Sequence, residues 1–123
     1  MLAFVERVAG RGPAILMGDF NALPGSEEIA LVREAGFADA FARAGDGEGI
    51  TWDEERNANI QLQRRASPGD IPEDPASKRI DYVFLRGAGL RLTRARVVLD
   101  RPLQGLYPSD HYGVLAEIEF SPP

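Results

Sequence analysis

Leu2, Phe4, Val5 and Val8 recur at the spacing of one helix face around Glu6 and Arg7, and Gly10 followed by Gly12-Pro13 closes the segment as a helix stop does. The pattern predicts an opening helix with no N-cap residue ahead of it, so Met1 reads as a cut into a helix. Ala14-Ile15-Leu16-Met17 is a continuous apolar run ending at Gly18, as expected for a buried strand, and residues 19–25 form the loop at its C-terminal end. Ser26 followed by Glu27 and Glu28 starts a second helix over 26–35, with Ile29, Leu31, Val32 and Ala35 supplying its apolar side. Residues 37–44 add a short turn of helix and 50–52 a short strand. Residues 53–77 are polar and interrupted by Pro68, Pro72 and Pro75, and are read as one long surface loop; such loops in compact domains are usually functional or disordered.

Three strands follow, at 79–85, 90–99 and 112–120. In the last, Val114, Ala116, Ile118 and Phe120 face one way and Glu117 and Glu119 the other. Gly87-Ala88-Gly89 predicts a hairpin between the first two. Helices and strands alternate early and strands dominate late, which indicates an α/β (α+β) layered domain with a mixed, mostly antiparallel sheet flanked by helices.

Composition narrows the picture. A chain of 123 residues with 44% apolar side chains can build one core, so residues 1–123 are expected to form a single unit. The net charge of −5 argues against holding nucleic acid by bulk charge, although ten of the fourteen basic residues lie between Arg56 and Arg101 and can form a local patch. With no cysteine there is no disulfide, thiolate metal site or thiol nucleophile. No apolar run approaches the ~20 residues of a transmembrane helix, and no leader pattern opens the chain. As given it reads as cytoplasmic, with an upstream signal left open.

Three polar clusters stand at strand ends: Gly18-Asp19-Phe20-Asn21, Arg79-Ile80-Asp81-Tyr82 and Ser109-Asp110-His111. The first and last also read as simple turns. Asp81 is harder to dismiss, because Ile80, Tyr82, Val83, Phe84 and Leu85 surround it and a buried carboxylate is costly unless paired. Its natural partner is His111, the only histidine. An Asp accepting from one imidazole nitrogen fixes the tautomer and readies the other nitrogen for substrate, whereas a purely structural pair would only tie two strands. Asp19, Asn21 and Asp110 would add two carboxylates and an amide. That set suits metal-assisted hydrolysis of phosphate esters: Mg²⁺ prefers carboxylate oxygens and waters, and a bound metal can lower water's pKa from about 16 toward about 7. Mn²⁺ is an alternative ion.

The ordered trio resembles the C-terminal motifs of the endonuclease/exonuclease/phosphatase superfamily, whose deoxyribonuclease-I-like fold is a four-layered α/β sandwich. The resemblance implies that Asp19 and Asn21 position the attacking water and stabilise the transition state, and that Asp81 hydrogen-bonds the catalytic His111. It also implies that Asp110, with Asp19, belongs to the metal site, and that His111 and Asn21 contact the phosphate. Family domains are usually about twice as long, and their N-terminal half carries an Asn, a metal-binding Glu and a further phosphate contact that have no counterpart here. The resemblance thus covers nearly all of this chain but about half of a family domain.

The expected activity is phosphodiester hydrolysis on a nucleic acid or phospholipid-type head group, by a chain incomplete for catalysis alone. The competing reading is a non-catalytic truncated copy that serves as a binding or assembly module. An exposed apolar sheet face and open strand edge would favour a homo-oligomer that covers the missing half. Arg64 and Arg65, in the long loop, are expected to bind substrate. Thr51-Trp52-Asp53 and that loop look more like the sphingomyelinase-like and general phosphodiesterase members than the abasic-site repair nucleases.

Overall fold

The computed structural model describes residues 1–66 and 75–121. The element that organises the rest is strand β5 (Asp81–Arg86), which has antiparallel neighbours on both sides, β1 (Ala14–Asp19) and β2 (Ala38–Asp39). Its side chains alternate between two cores, as the pleat requires. Tyr82 and Phe84 point into a cluster with Ala22, Ile29, Val32 and Phe37, closed by Leu2 and Val5 of helix α1 (Leu2–Ala9) and by helix α2 (Glu27–Glu34). Val83 and Leu85 point the other way, onto Ala40 and Phe41 of helix α3 (Ala40–Ala44) and onto Ala95.

The second core is capped by a long antiparallel pair, β6 (Leu90–Val98) and β7 (Gly113–Phe120), with a register shift between Leu92 and Arg94. This corrects the expected hairpin between β5 and the strand after it. Both edges of β5 are already taken, so β6 must leave that sheet, and its apolar side, Leu90, Leu92, Ala95 and Val97, lies over the second core instead. Gly87 makes the exit possible: its φ is +101°, and a Cβ there would stand 2.6 Å from Pro13 Cα.

β1 also departs from expectation. Ala14 and Leu16 pack on the first core, but Ile15 and Met17, on the opposite face, are 41% and 71% exposed, and β1 is the outer strand of its sheet. An apolar run therefore marks a strand here without marking one buried on both faces.

Helix ends follow the sequence. Ser26 caps α2 by accepting from Ile29 N–H, and Glu28, held by the backbone and by Ser26, has its pKa lowered. Asp39 caps α3 through Ala42 N–H and also accepts from the buried Arg79 guanidinium at 2.8 Å, which lies against the Tyr82 and Phe41 rings.

The expected 53–77 loop is the largest revision. Within it the chain forms helix α4 (Ala58–Ala66), and at its two ends β3 (Trp52–Asp53) pairs with β4 (Ser77–Lys78). Ile60 anchors the helix, completely buried. Pro68 and Pro72 lie outside the described residues.

Candidate active site

At the end of β1 the chain alternates inward and outward. Phe20 packs edge-on against Tyr82 and Phe84, and the Ala22 carbonyl accepts from the Tyr82 hydroxyl at 2.7 Å. Asp19 and Asn21 are thereby left facing outward, both exposed. Asn21 holds a left-handed φ of 48°, which asparagine tolerates better than most residues, and its N–H donates to Asp19 Oδ1 at 2.8 Å.

The β1–β5 register sets Asp19 directly opposite Asp81. Like charges in that position repel, so the arrangement calls for a cation or a proton donor between them. His111 supplies one answer: its Nδ1 lies 2.8 Å from Asp81 Oδ2. A carboxylate only accepts, so Nδ1 carries the hydrogen and Nε2 is left for other partners. One ligand atom each from Asp19, Asp81 and His111 falls within 4.8 Å of the others. Among the described residues this is the one group of three acidic or imidazole side chains that converges in this way.

Thr51 assembles the pair. It is wholly buried, and its hydroxyl oxygen accepts from the N–H of both Ile80 and Asp81, at 3.1 and 3.2 Å, while its carbonyl accepts from Tyr112 N–H at 2.7 Å. One side chain and its backbone thus fix the start of β5 and the segment just ahead of β7, which carry the pair. Beside it, Trp52 bridges to His111 in the backbone and sets its ring edge-on to the imidazole, centroids 5.0 Å apart.

Asp110 faces elsewhere. Its Oδ2 accepts from Gln63 of α4 at 3.0 Å, and its Oδ1 accepts from the Ser109 hydroxyl and from His111 N–H. These bonds, Gln63 first, hold its pKa below the ordinary carboxylate value. Arg64 is paired with Glu54, and Arg65 is exposed at the end of α4.

Of the expected site residues, then, the fold brings together Asp19, Asp81 and His111 with Asn21 beside them. Asp110 is adjacent in sequence but turned to α4. Thr51 and Trp52 drew attention only as part of a family-like triplet, and Asn57 and Gln63 drew none. A hydroxyl between Ile50 and Trp52 in a short strand was the available sign for Thr51; the amides sit in a mostly polar stretch whose few apolar residues, Ile60 and Leu62 among them, are too sparse to mark a helix face.

The profile of the Endonuclease/Exonuclease/phosphatase family matches residues 1–111. The chain belongs to this family. No curated protein matches it. Among solved structures, it is similar to a functionally unknown conserved protein from Enterococcus faecalis V583, at 24% identity and TM-score 0.68 over 98% of this chain and 41% of that one. A family protein from Leptotrichia buccalis C-1013-b shares 26% identity at TM-score 0.64, over 96% and 40%. TDP2 of D. rerio, complexed with a single-strand DNA product, shares 25% identity at TM-score 0.67, over 96% and 46%. The chain therefore spans less than half the length of these relatives. The layered deoxyribonuclease-I-like fold expected from its motifs is the fold they share.

Proposed function

We propose that this endonuclease/exonuclease/phosphatase chain carries the hydrolytic centre of a divalent-metal-dependent phosphodiesterase. The observation that carries the reading is the convergence of Asp19, Asp81 and His111, with the imidazole bonded through Nδ1 to Asp81. In this reading Asp19 orients and deprotonates the attacking water, and the Asn21 amide donates to the charge that develops on phosphorus oxygens. Asp81 holds the ring so that Nε2 meets the scissile phosphate and, with the imidazole protonated, donates to its oxygen.

The donor set fits a hard cation. Two carboxylates facing each other across a ladder repel until a positive charge sits near them, and oxygen donors with open coordination positions suit Mg²⁺ or Mn²⁺. Asp19 would hold the ion, with Asp110 reaching it only by giving up its bond to Gln63. Such an ion supplies Lewis-acid charge stabilisation and a more acidic bound water. The DNA product on the zebrafish TDP2 supports a nucleic-acid phosphodiester as substrate, with Arg65 as the exposed contact and Arg64 sharing its charge with Glu54.

The exposed Ile15 and Met17 on the outer strand support self-association of this chain, and Met17→Glu should lower its mass by light scattering; equal masses for both proteins would count against it. For the activity, the test is hydrolysis of a chromogenic phosphodiester with Mg²⁺ or Mn²⁺, with chelator, and with His111→Ala. Metal-dependent turnover lost in the variant supports the reading. A folded chain indifferent to metal, chelator and Asp19→Ala is a non-catalytic module instead.

A further inference from the structure

Three amides line one side of α4 and the turn before it. Asn57, completely buried, donates through Nδ2 to the carbonyls of Ser109 and Asp110, at 2.9 and 3.0 Å, and its Oδ1 accepts from Asn59 N–H. Asn59 Nδ2 donates to Tyr107 O at 3.1 Å, and Gln63 Nε2 to the Asp110 carboxylate. All four acceptors belong to residues 107–110, the segment that delivers His111. Leu103 and Leu106 ahead of it are strongly exposed, and among the described residues its other ties lie at its far end, in the Trp52–His111 bridge with Tyr112 N–H on Thr51 O, and in the Tyr107–Tyr112 ring stack.

We infer that Asn57 is the positioning residue for His111. Its two donated bonds clamp consecutive carbonyls, which sets the planes of the 109–110 and 110–111 peptides and hence where the His111 side chain emerges. Only a planar amide with two N–H groups does this: alanine lacks the donors, and aspartate would oppose the carbonyls with negative oxygens. Asn59 and Gln63 grip the same segment from the helix beyond. The claim that this placement matters for turnover rests on the phosphodiesterase reading; the claim that it fixes the ring does not.

The single histidine makes the test direct. With the side chains ¹⁵N-labelled, the imidazole shifts at alkaline pH report which nitrogen of the neutral ring holds the hydrogen. The wild-type chain should show the Nδ1–H form held by Asp81. Asn57→Ala should shift the ring toward the Nε2–H form that free histidine prefers. Gln61→Ala should not, because among the described residues the Gln61 side chain bonds the carbonyls of Glu54 and Glu55 alone, so its loss weakens α4 without touching 107–110. An unchanged tautomer in Asn57→Ala, or equal shifts in both variants, overturns the inference.

Should Asn57→Ala fail to fold, the Asn59→Ala/Gln63→Ala double variant removes the outer grips, and the same shift is expected against the same control. Where the wild type turns over, kcat of Asn57→Ala should fall by roughly 10-fold to 100-fold with KM little changed. A tautomer shift in a chain with no turnover at all would leave the clamp standing and count only against turnover by this chain alone.

Discussion

Thr51→Val isolates one atom's contribution to the site. Valine keeps the β-branched shape and every backbone bond of residue 51, and removes only the oxygen that accepts from Ile80 and Asp81 N–H. Ile80 is buried, so its N–H is left without a partner in the interior, at a cost of about 1–3 kcal/mol. Asp81 N–H is partly shielded and adds less, while the new methyl returns up to about 1 kcal/mol of burial. The expected net loss is about 2 kcal/mol. For a domain between the small and the mid-sized classes, that lowers Tm by about 6–10 °C. Thr51→Ser keeps the hydroxyl and gives up a methyl, and should lose about half as much. Thermal unfolding followed by circular dichroism decides. A valine variant within about 2 °C of wild type, or a serine variant that falls as far, would refute the assignment of the loss to the two orphaned donors.

Three further outcomes follow from the packing and the titrating groups. Asp39→Ala strands the buried Arg79 charge and uncaps α3, and should cost about 3–5 kcal/mol by urea unfolding, with Asp39→Ala/Arg79→Met recovering part of it. Burial raises the Tyr82 pKa to about 12, so its contribution to stability is intact below the ordinary tyrosine value of about 10 and is lost as pH rises through the folded value; phenolate absorbance and unfolding should therefore rise together in that window. For Asp110 the sign is opposite: its lowered pKa stabilises the fold above the ordinary carboxylate value and the gain disappears as pH falls through the lowered one, so Gln63→Ala should lower stability at neutral pH and converge with the wild type in acid, giving a shallower acid limb of the stability–pH curve.

What could be read from residues alone followed the range of the interactions. Caps and turns are settled within a few residues, and Ser26 and Gly87 announced themselves. The Asp81–His111 pair was legible across 30 residues because a carboxylate amid apolar neighbours needs a partner and the chain holds one imidazole. Strand pairing was not: glycines after β5 predict a turn, but whether β6 folds back beside β5 depends on which edges of β5 are free, and those are filled by β1 and β2, distant in sequence. The same limit hid α4. Its mean pattern is polar, and what makes it a helix with a place is one buried isoleucine and amides that find carbonyls about 50 residues away. A polar side chain shows its purpose only when something removes it from water, and in Asn57 the fold does this at the one segment whose direction the imidazole depends on. The acidic, amide and imidazole groups were therefore visible as chemistry, while the residues that aim them became visible only as burial.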